Sequence, residues 1–174
     1  ITSGRMRSLR VSNSCKKVTG ASDIILFLYD DFGVDKTSSK FTKFVEFLNT
    51  GANGDIVGSQ YEWRNNKSKN FTFFTGACHY TDDSLMTLAI AQAFTLRKGR
   101  WREPGFQKFV VEKMVEMGKA HQACSWGKHF YDWFMYNPVP YNSYGNGSAM
   151  RVSSVGWISE SEEDVKYFSR LVTE

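Results

Sequence analysis

A threonine and two aspartates stand together immediately before the most apolar segment of the chain. Thr81, Asp82 and Asp83 precede residues 85–94, which are apolar on nearly every side when drawn as a helix. Carboxylate and hydroxyl oxygens are the ligands that Mg²⁺ and Mn²⁺ prefer, so these residues are candidate ligands of a hard divalent cation. The same residue types also cap helices and interact favourably with the helix dipole, and a cap is the alternative interpretation.

A second polar group lies upstream, where Asp55, Ser59 and Glu62 are spaced at i, i+4 and i+7. On a helix this spacing places the three side chains on one face. Gly54 and Gly58 lie beside them and would allow a ligand or another backbone to come close. Two acids and a hydroxyl suit a polar cleft, and a solvated helix face is the alternative.

The third group is the glycine-containing stretch at residues 145–151. Glycines on both sides of Asn146 allow positive φ, so successive backbone N–H groups are predicted to line a concavity that holds an anion. Arg151 would add a charge-assisted contact to a phosphate. An ordinary turn is the alternative, because Asn-Gly is a common turn dipeptide.

The elements that must position these groups are mainly helical. Apolar residues at helical spacing predict a helix over residues 40–48, ended by Asn49, Thr50 and Gly51, and a second helix over 54–63. The buried helix at 85–94 should end near Lys98 and Gly99. Apolar stripes predict three more helices, around 106–117, 130–134 and 165–172, while residues 65–80 and 145–151 are predicted loops and residues 23–29 a buried strand.

Taken in order, the three polar groups resemble the motifs of the ADP-ribosylglycohydrolase family. The matching stretches are Gly-Asp-Ile-Val-Gly-Ser-Gln-Tyr-Glu (54–62), Tyr-Thr-Asp-Asp-Ser-Leu-Met-Thr-Leu-Ala (80–89) and Ser-Tyr-Gly-Asn-Gly-Ser-Ala-Met-Arg-Val-Ser (143–153). The resemblance covers residues 50–174 and implies an all-helical, mainly α domain. Residues 1–49 form an N-terminal segment of unknown type with a short α/β-like pattern.

The resemblance implies a hydrolase that cleaves the N- or O-glycosidic bond between ADP-ribose and a modified protein or small acceptor. A complete site of this kind holds two Mg²⁺ (or Mn²⁺) ions. The resemblance implies that Thr81, Asp82 and Asp83 are metal ligands, and that Glu62 and Asp55 act in catalysis together with Asp83. The residues implied to bind the ADP-ribose are Gly145, Asn146, Gly147, Ser148, Met150 and Arg151.

The chain also departs from the family pattern. The family completes its metal site with a downstream Asp-x-Asp-Thr or Asp-x-Asp-Ser motif, whereas Asp164 is the only aspartate in residues 152–174. We therefore expect this chain to correspond to the front part of the domain, with its C-terminal half missing or with self-association. The alternative functions are a catalytically inactive or truncated module that binds ADP-ribose or a nucleotide, and a helical interaction protein whose acids only cap helices.

Composition limits the remaining possibilities. The 174 residues are 41% hydrophobic, enough for one folded domain, and no apolar run reaches the ~18 residues of a membrane span. The net charge of +4 comes from residues 1–20, which hold five basic residues and no acid, so nucleic acid is not the expected main partner. Three cysteines, an odd number without a Cys-x-x-Cys pair, predict no disulfide framework and a cytoplasmic location.

Overall fold

The computed structural model describes residues 39–174, and every regular element in that range is an α-helix. The mainly α prediction is therefore confirmed for this part of the chain, while the predicted strand at 23–29 lies outside the described residues. The helices are α1 (Ser39–Ser59), α2 (Asp82–Arg97), α3 (Phe106–Ala120), α4 (Lys128–Tyr136), α5 (Gly147–Arg151), α6 (Ser153–Ile158) and α7 (Glu162–Thr173).

Helix α2 is the central element, and α1, α3, α5 and α6 all pack against it. A helix that is apolar all round must be enclosed, and Met86, Ala89 and Ile90 are indeed fully buried. The helix ends at its predicted place, because Lys98 adopts a left-handed conformation (φ 44°) and Gly99 follows with φ 86°.

An aromatic cluster fixes the C-terminal half of α2. The ring centroid of Phe94 lies 5.5 Å from Trp101, 5.0 Å from Phe106 and 5.6 Å from Phe168. The Trp101 indole N–H also donates to the Phe94 carbonyl oxygen (2.7 Å). These rings join the C-terminal half of α2 to α3 and α7. Because α2 is one helix held in the core, this packing also fixes the position of its N-terminal end, where the acidic residues lie.

Helix α1 is continuous, and the predicted stop at residues 49–51 is wrong. Leu48, Ala52 and Ile56 lie four residues apart on one face and are all buried in the core. Their packing stabilises the helix across residues 49–51, where helix propensity is low. The Thr50 hydroxyl donates to the backbone carbonyl one turn earlier (2.9 Å). The domain boundary expected between residues 49 and 50 falls inside this helix.

Helix α1 also ends earlier than the predicted second helix over 54–63. Its last residue is Ser59, and a turn follows in which the Tyr61 amide donates to the Gly58 carbonyl oxygen (2.8 Å). Although α1 has 21 residues, neither it nor any other helix within 39–174 combines the length and apolar character needed to cross a bilayer.

The contact between α3 and α4 depends on a glycine, which gives a first testable prediction. A Cβ at Gly118 would lie 2.7 Å from the ring of Phe134, which is itself buried. We expect Gly118→Ala to lower the free energy of unfolding by about 1–3 kcal/mol, because the clash outweighs the gain in helix propensity. Urea denaturation measures the difference.

The matched control is Gly51→Ala in α1, where a Cβ meets nothing within 4 Å. This variant should gain about 0.5–1 kcal/mol from helix propensity alone. Equal effects of the two substitutions would show that the approach of α4 to Gly118 is not tight.

Candidate functional site

The site begins with the carboxylate of Asp55, which reaches from α1 to the N-terminus of α2. Its Oδ1 accepts a hydrogen bond from the Thr81 hydroxyl (2.6 Å). Its Oδ2 accepts from the Thr81 amide (2.8 Å), the Ser84 hydroxyl (2.6 Å) and the Ser84 amide (3.3 Å). An anion at the N-terminus of a helix is favourable, and here it joins two helices.

Thr81 is the N-cap of α2, as the capping interpretation predicts. Its backbone is extended (φ −117°, ψ −168°), and its hydroxyl oxygen accepts from the Asp83 amide (3.3 Å). The hydroxyl proton is donated to Asp55, and Thr81 itself is buried. The side chain therefore stabilises the helix start, and one lone pair of its oxygen remains for a further contact.

Asp82 and Asp83 form an acidic pair beside this cap. Burial and the neighbouring Asp83 raise the pKa of Asp82 to about 6, with smaller contributions from Asp55 and Glu62. Burial and Asp55 also raise the pKa of Asp83. Among the side chains that the structure describes, neither carboxylate forms an ion pair with a basic group. Ionised carboxylates therefore repel one another at this end of α2.

The three sequence motifs meet at this point. Burial and Asp55 raise the pKa of Asp83, and the Asn146 side chain lies close enough to lower it in part, so the glycine-containing stretch lies beside the acidic pair. The Thr87 hydroxyl donates to the Met150 carbonyl oxygen (3.1 Å), which fastens α5 to α2. Glu62, from the first motif, is close enough to contribute to the raised pKa of Asp82.

Glu62 reaches the acidic pair from a turn, which corrects the predicted helical face. Because α1 ends at Ser59, Glu62 does not continue the spacing from Asp55. Ser59 is buried and structural, since its hydroxyl donates to the Ile56 carbonyl oxygen (2.8 Å) and accepts from the His79 amide (3.0 Å). Glu62 is exposed beyond this turn.

The predicted geometry of the glycine-containing stretch is wrong. Gly99 and Gly105 are the glycines with positive φ within the part of the chain that the structure describes, so Gly145 and Gly147 lack the positive φ from which the concavity was predicted. Residues 147–151 instead form the short helix α5, held against α2 through the Met150 carbonyl oxygen. Glycine permits a left-handed conformation without requiring it, and here the contact with α2 decides the backbone. Gly145, Asn146 and Ser148 are exposed, and Gly147 and Met150 are half-buried.

Arg151 is tied to backbone oxygens. Its Nε donates to the Val172 carbonyl oxygen in α7 (2.8 Å), and its Nη1 donates to the Gly147 carbonyl oxygen at the start of α5 (3.0 Å). Burial lowers the pKa of the guanidinium. A cation that binds the final carbonyls of a helix is favourable, so Arg151 holds α5 and the last turn of α7 together.

Replacing Arg151 with methionine tests this structural role. The substitution keeps the aliphatic volume but leaves the carbonyl oxygens of Gly147 and Val172 without their donors. We expect a loss of about 1–3 kcal/mol in the free energy of unfolding, measured by urea denaturation. Arg170→Met is the control, because Arg170 is exposed near the end of α7, the helix that contains Val172. This variant should change stability by less than about 0.5 kcal/mol. Equal losses would contradict the role.

The acidic pair fits a divalent cation by its chemistry. Asp82 and Asp83 offer carboxylate oxygens that no basic side chain in the described part of the chain pairs with, and a positive charge would relieve the causes that raise their pKa values. Across residues 39–174 no three His, Cys, Asp or Glu side chains are already grouped as a metal site. The assignment of Thr81, Asp82 and Asp83 as ligands stays a prediction.

Two contacts of the site escaped the sequence analysis. The first is the pairing of Ser84 with Asp55: the Thr-Asp-Asp-Ser order places Ser84 in the first helical turn beside Thr81, but it does not identify Asp55, 29 positions away, as the partner. The second joins the Tyr80 hydroxyl to His121 Nδ1 (3.3 Å), at the end of α3. Burial lowers the pKa of His121. No local pattern in the sequence indicates this second contact.

The ADP-ribosylglycohydrolase family model matches residues 36–173, well over half of the 174-residue chain. The chain belongs to the ADP-ribosylglycohydrolase family. No curated protein and no solved structure matches it. The family match includes the whole of α1, so it extends further toward the N-terminus than the motif resemblance over residues 50–174. In this member of the ADP-ribosylglycohydrolase family, the three sequence motifs converge on the N-terminus of α2.

Proposed function

We propose that this chain is a hydrolase that cleaves the N- or O-glycosidic bond of ADP-ribose in a modified protein or small conjugate, assisted by Mg²⁺ or Mn²⁺. The observation that carries the proposal is the pair Asp82 and Asp83, which burial and neighbouring acids hold at raised pKa values with no basic partner in the described residues. Two repelling carboxylates destabilise the folded state, and a function in binding a cationic species would explain why they are present.

The chemistry of the bond suits this cluster. In the reaction the bond between C1 of the ribose and the acceptor breaks, a water oxygen bonds to C1, and the acceptor leaves with a proton. Positive charge develops on the ribose ring, and nearby carboxylates stabilise it. In this proposal Glu62, which is exposed beside Asp82 and Asp83, accepts the proton of the attacking water. A bound divalent cation would supply contacts to ribose hydroxyls and lower the pKa of a bound water.

The remaining site residues support these two roles. Asp55 is a positioning residue, since its four hydrogen bonds hold Thr81 and the start of α2. Asn146 connects the substrate-binding stretch to Asp83. The proposed contacts to ADP-ribose are those of Gly145, Asn146, Gly147, Ser148 and Met150, while Arg151 acts on them through Gly147.

The proposal extends to two ions in a complete site and to a cytoplasmic setting. The substrates are an ADP-ribosylated protein or a small ADP-ribose conjugate. Self-association of the chain would provide further ligands.

The test is release of free ADP-ribose from arginine-linked and serine-linked ADP-ribosylated peptides, followed by chromatography. We expect release by the 174-residue chain in millimolar Mg²⁺, and loss of release with EDTA or in Asp83→Ala. Asp132→Ala is the control, because Asp132 lies on α4 in an exposed pair with Lys128. Unchanged release in Asp83→Ala would refute the role of the pair.

An ADP-ribose-binding module without hydrolysis is the second candidate. The observation that favours it is the structural use of Asp55, whose two oxygens accept four hydrogen bonds from Thr81 and Ser84 and so hold the start of α2. Calorimetry with ADP-ribose distinguishes the two functions. Binding without turnover of any linked peptide would support the module, and turnover would exclude it.

A further inference from the structure

A surface segment directly after Glu62 exposes large aromatic side chains. Trp63 is 86% exposed, Phe73 62% and Phe74 52%. All three lie in residues 63–74, the loop that joins α1 to the start of the acidic site. Aromatic rings that face solvent in a polar loop contribute nothing to the core, so they are available to a partner.

The same segment carries unpaired positive charge. Arg64, Lys67 and Lys69 are exposed, and residues 63–81 contain no acid. Among the residues that the structure describes, none of the three cations takes part in an ion pair. The segment therefore presents three free cations interleaved with exposed rings.

The loop is held in place at both ends. The Gln60 side-chain amide donates to the Phe73 carbonyl oxygen (3.0 Å), and its Oε1 accepts from the Thr75 hydroxyl (2.8 Å). The Phe71 ring packs edge-on against Tyr61, with centroids 5.4 Å apart. These contacts fasten the loop to the end of α1, so the exposed rings and cations stand on an anchored frame.

We propose that residues 63–74 form a docking surface for single-stranded nucleic acid. Bases stack on exposed aromatic rings, and phosphates contact interleaved cations, which is the combination that single-strand binders use. An acidic peptide would match the cations but would leave Trp63, Phe73 and Phe74 without partners. The sequence-based expectation against nucleic acid compared residues 1–20 with the rest of the chain taken together, and the near-neutral sum over that rest hides this local excess.

This surface is independent of the hydrolase proposal, because binding can be measured without metal or ADP-ribose. Residues 63–74 directly follow Glu62, and this position matters for the choice of substrate. If the hydrolase proposal also holds, a bound strand lies next to the acidic pair, and a nucleic-acid-linked ADP-ribose becomes a substrate to test.

The experiment is fluorescence polarisation of the full chain with a labelled oligothymidylate of about twenty nucleotides, the length of one or two single-strand sites. We expect saturable binding, and a Kd raised about 5- to 100-fold in Trp63→Ala, because one stacked base is lost. Trp63→Phe keeps a ring and should retain most of the affinity. The double variant Lys67→Gln/Lys69→Gln should lower the slope of log Kd against log salt by about 1.4.

The controls are Tyr136→Ala and Lys128→Gln, which remove an exposed ring and an exposed cation from α4. Both should leave Kd within about twofold, as expected for residues outside a binding site. Absence of binding would overturn the proposal. Binding that the Trp63 and lysine variants do not weaken would also overturn it, and would assign the strand to the basic residues 1–20. Equal competition by poly-glutamate would indicate an acidic peptide instead.

Discussion

Replacing Asp82 with asparagine is expected to stabilise the metal-free protein at neutral pH while removing the hydrolase activity proposed for it. The pKa of about 6 means that ionised Asp82 is unfavourable in the folded protein. Asparagine removes that charge and nearly keeps the shape. Allowing for partial solvent screening, we expect a gain of about 1–2 kcal/mol and a melting temperature about 3–6 °C higher. Hydrolysis should fall at least about 100-fold, because a group that stabilises developing charge is lost.

The stability difference between the wild type and Asp82→Asn should depend on pH. The folded-state pKa of about 6 exceeds the ordinary value of 3.8, so the folded protein binds the Asp82 proton more tightly than the unfolded chain does. The contribution of Asp82 to wild-type stability should therefore rise as the pH falls from 7 through 6 toward 4, and its penalty is present above 6. The advantage of Asp82→Asn should be largest at pH 7.5 and smaller at pH 5.

Thermal melts of both proteins at the two pH values measure this effect. Asp132→Asn is the control, since Asp132 belongs to an exposed pair on α4 and should show little difference at either pH. Millimolar Mg²⁺ should raise the melting temperature of the wild type more than that of Asp82→Asn. A variant that is less stable than the wild type at pH 7.5 would show that the acidic pair is not mutually repelling.

The second large effect is expected at Asp55. Asp55→Ala removes the acceptor of four hydrogen bonds and leaves the buried donors of Thr81 and Ser84 unpaired. We expect a loss of about 3–4 kcal/mol in the free energy of unfolding, which corresponds to a melting temperature about 10 °C lower. Asp55→Asn keeps one acceptor oxygen and should lose about half as much.

Urea denaturation of the two variants, with Asp132→Ala as control, tests this role. The stability loss in Asp55→Ala should be present with or without Mg²⁺, because it comes from the contact between two helices. Full stability together with abolished hydrolysis would contradict the positioning role and would make Asp55 a catalytic residue.

Local chemistry in the sequence predicts α2 well and α1 poorly. The start and end of α2 follow from Thr81 and Lys98, which act within one helical turn. The continuity of α1 depends on Leu48, Ala52 and Ile56, whose packing against α2 is a tertiary effect that outweighs the weak propensity at residues 49–51. Rules based on neighbouring residues contain no information about such contacts.

The same distinction applies to the site. Motif order predicts that the acidic residues and the glycine-containing stretch belong together, and the structure brings Asn146 to Asp83. The identity of the hydrogen-bond partners is a different matter. Asp55 binds Ser84 and Arg151 binds Val172 across long separations in the chain, so neither pairing follows from local spacing. The backbone of Gly147 likewise belongs to α5, which the Met150 carbonyl oxygen fastens to α2.

The hydrogen bonds of Asp55 also bear on how the chain folds. Asp55 and Thr81 are separated by 26 positions, so the N-terminus of α2 gains its full set of acceptors only when α1 has docked. Nascent α2 can form its middle turns earlier, from local contacts among its apolar residues. The first turn should therefore order late, with the pairing of α1 and α2 acting as the closing event of the folding transition.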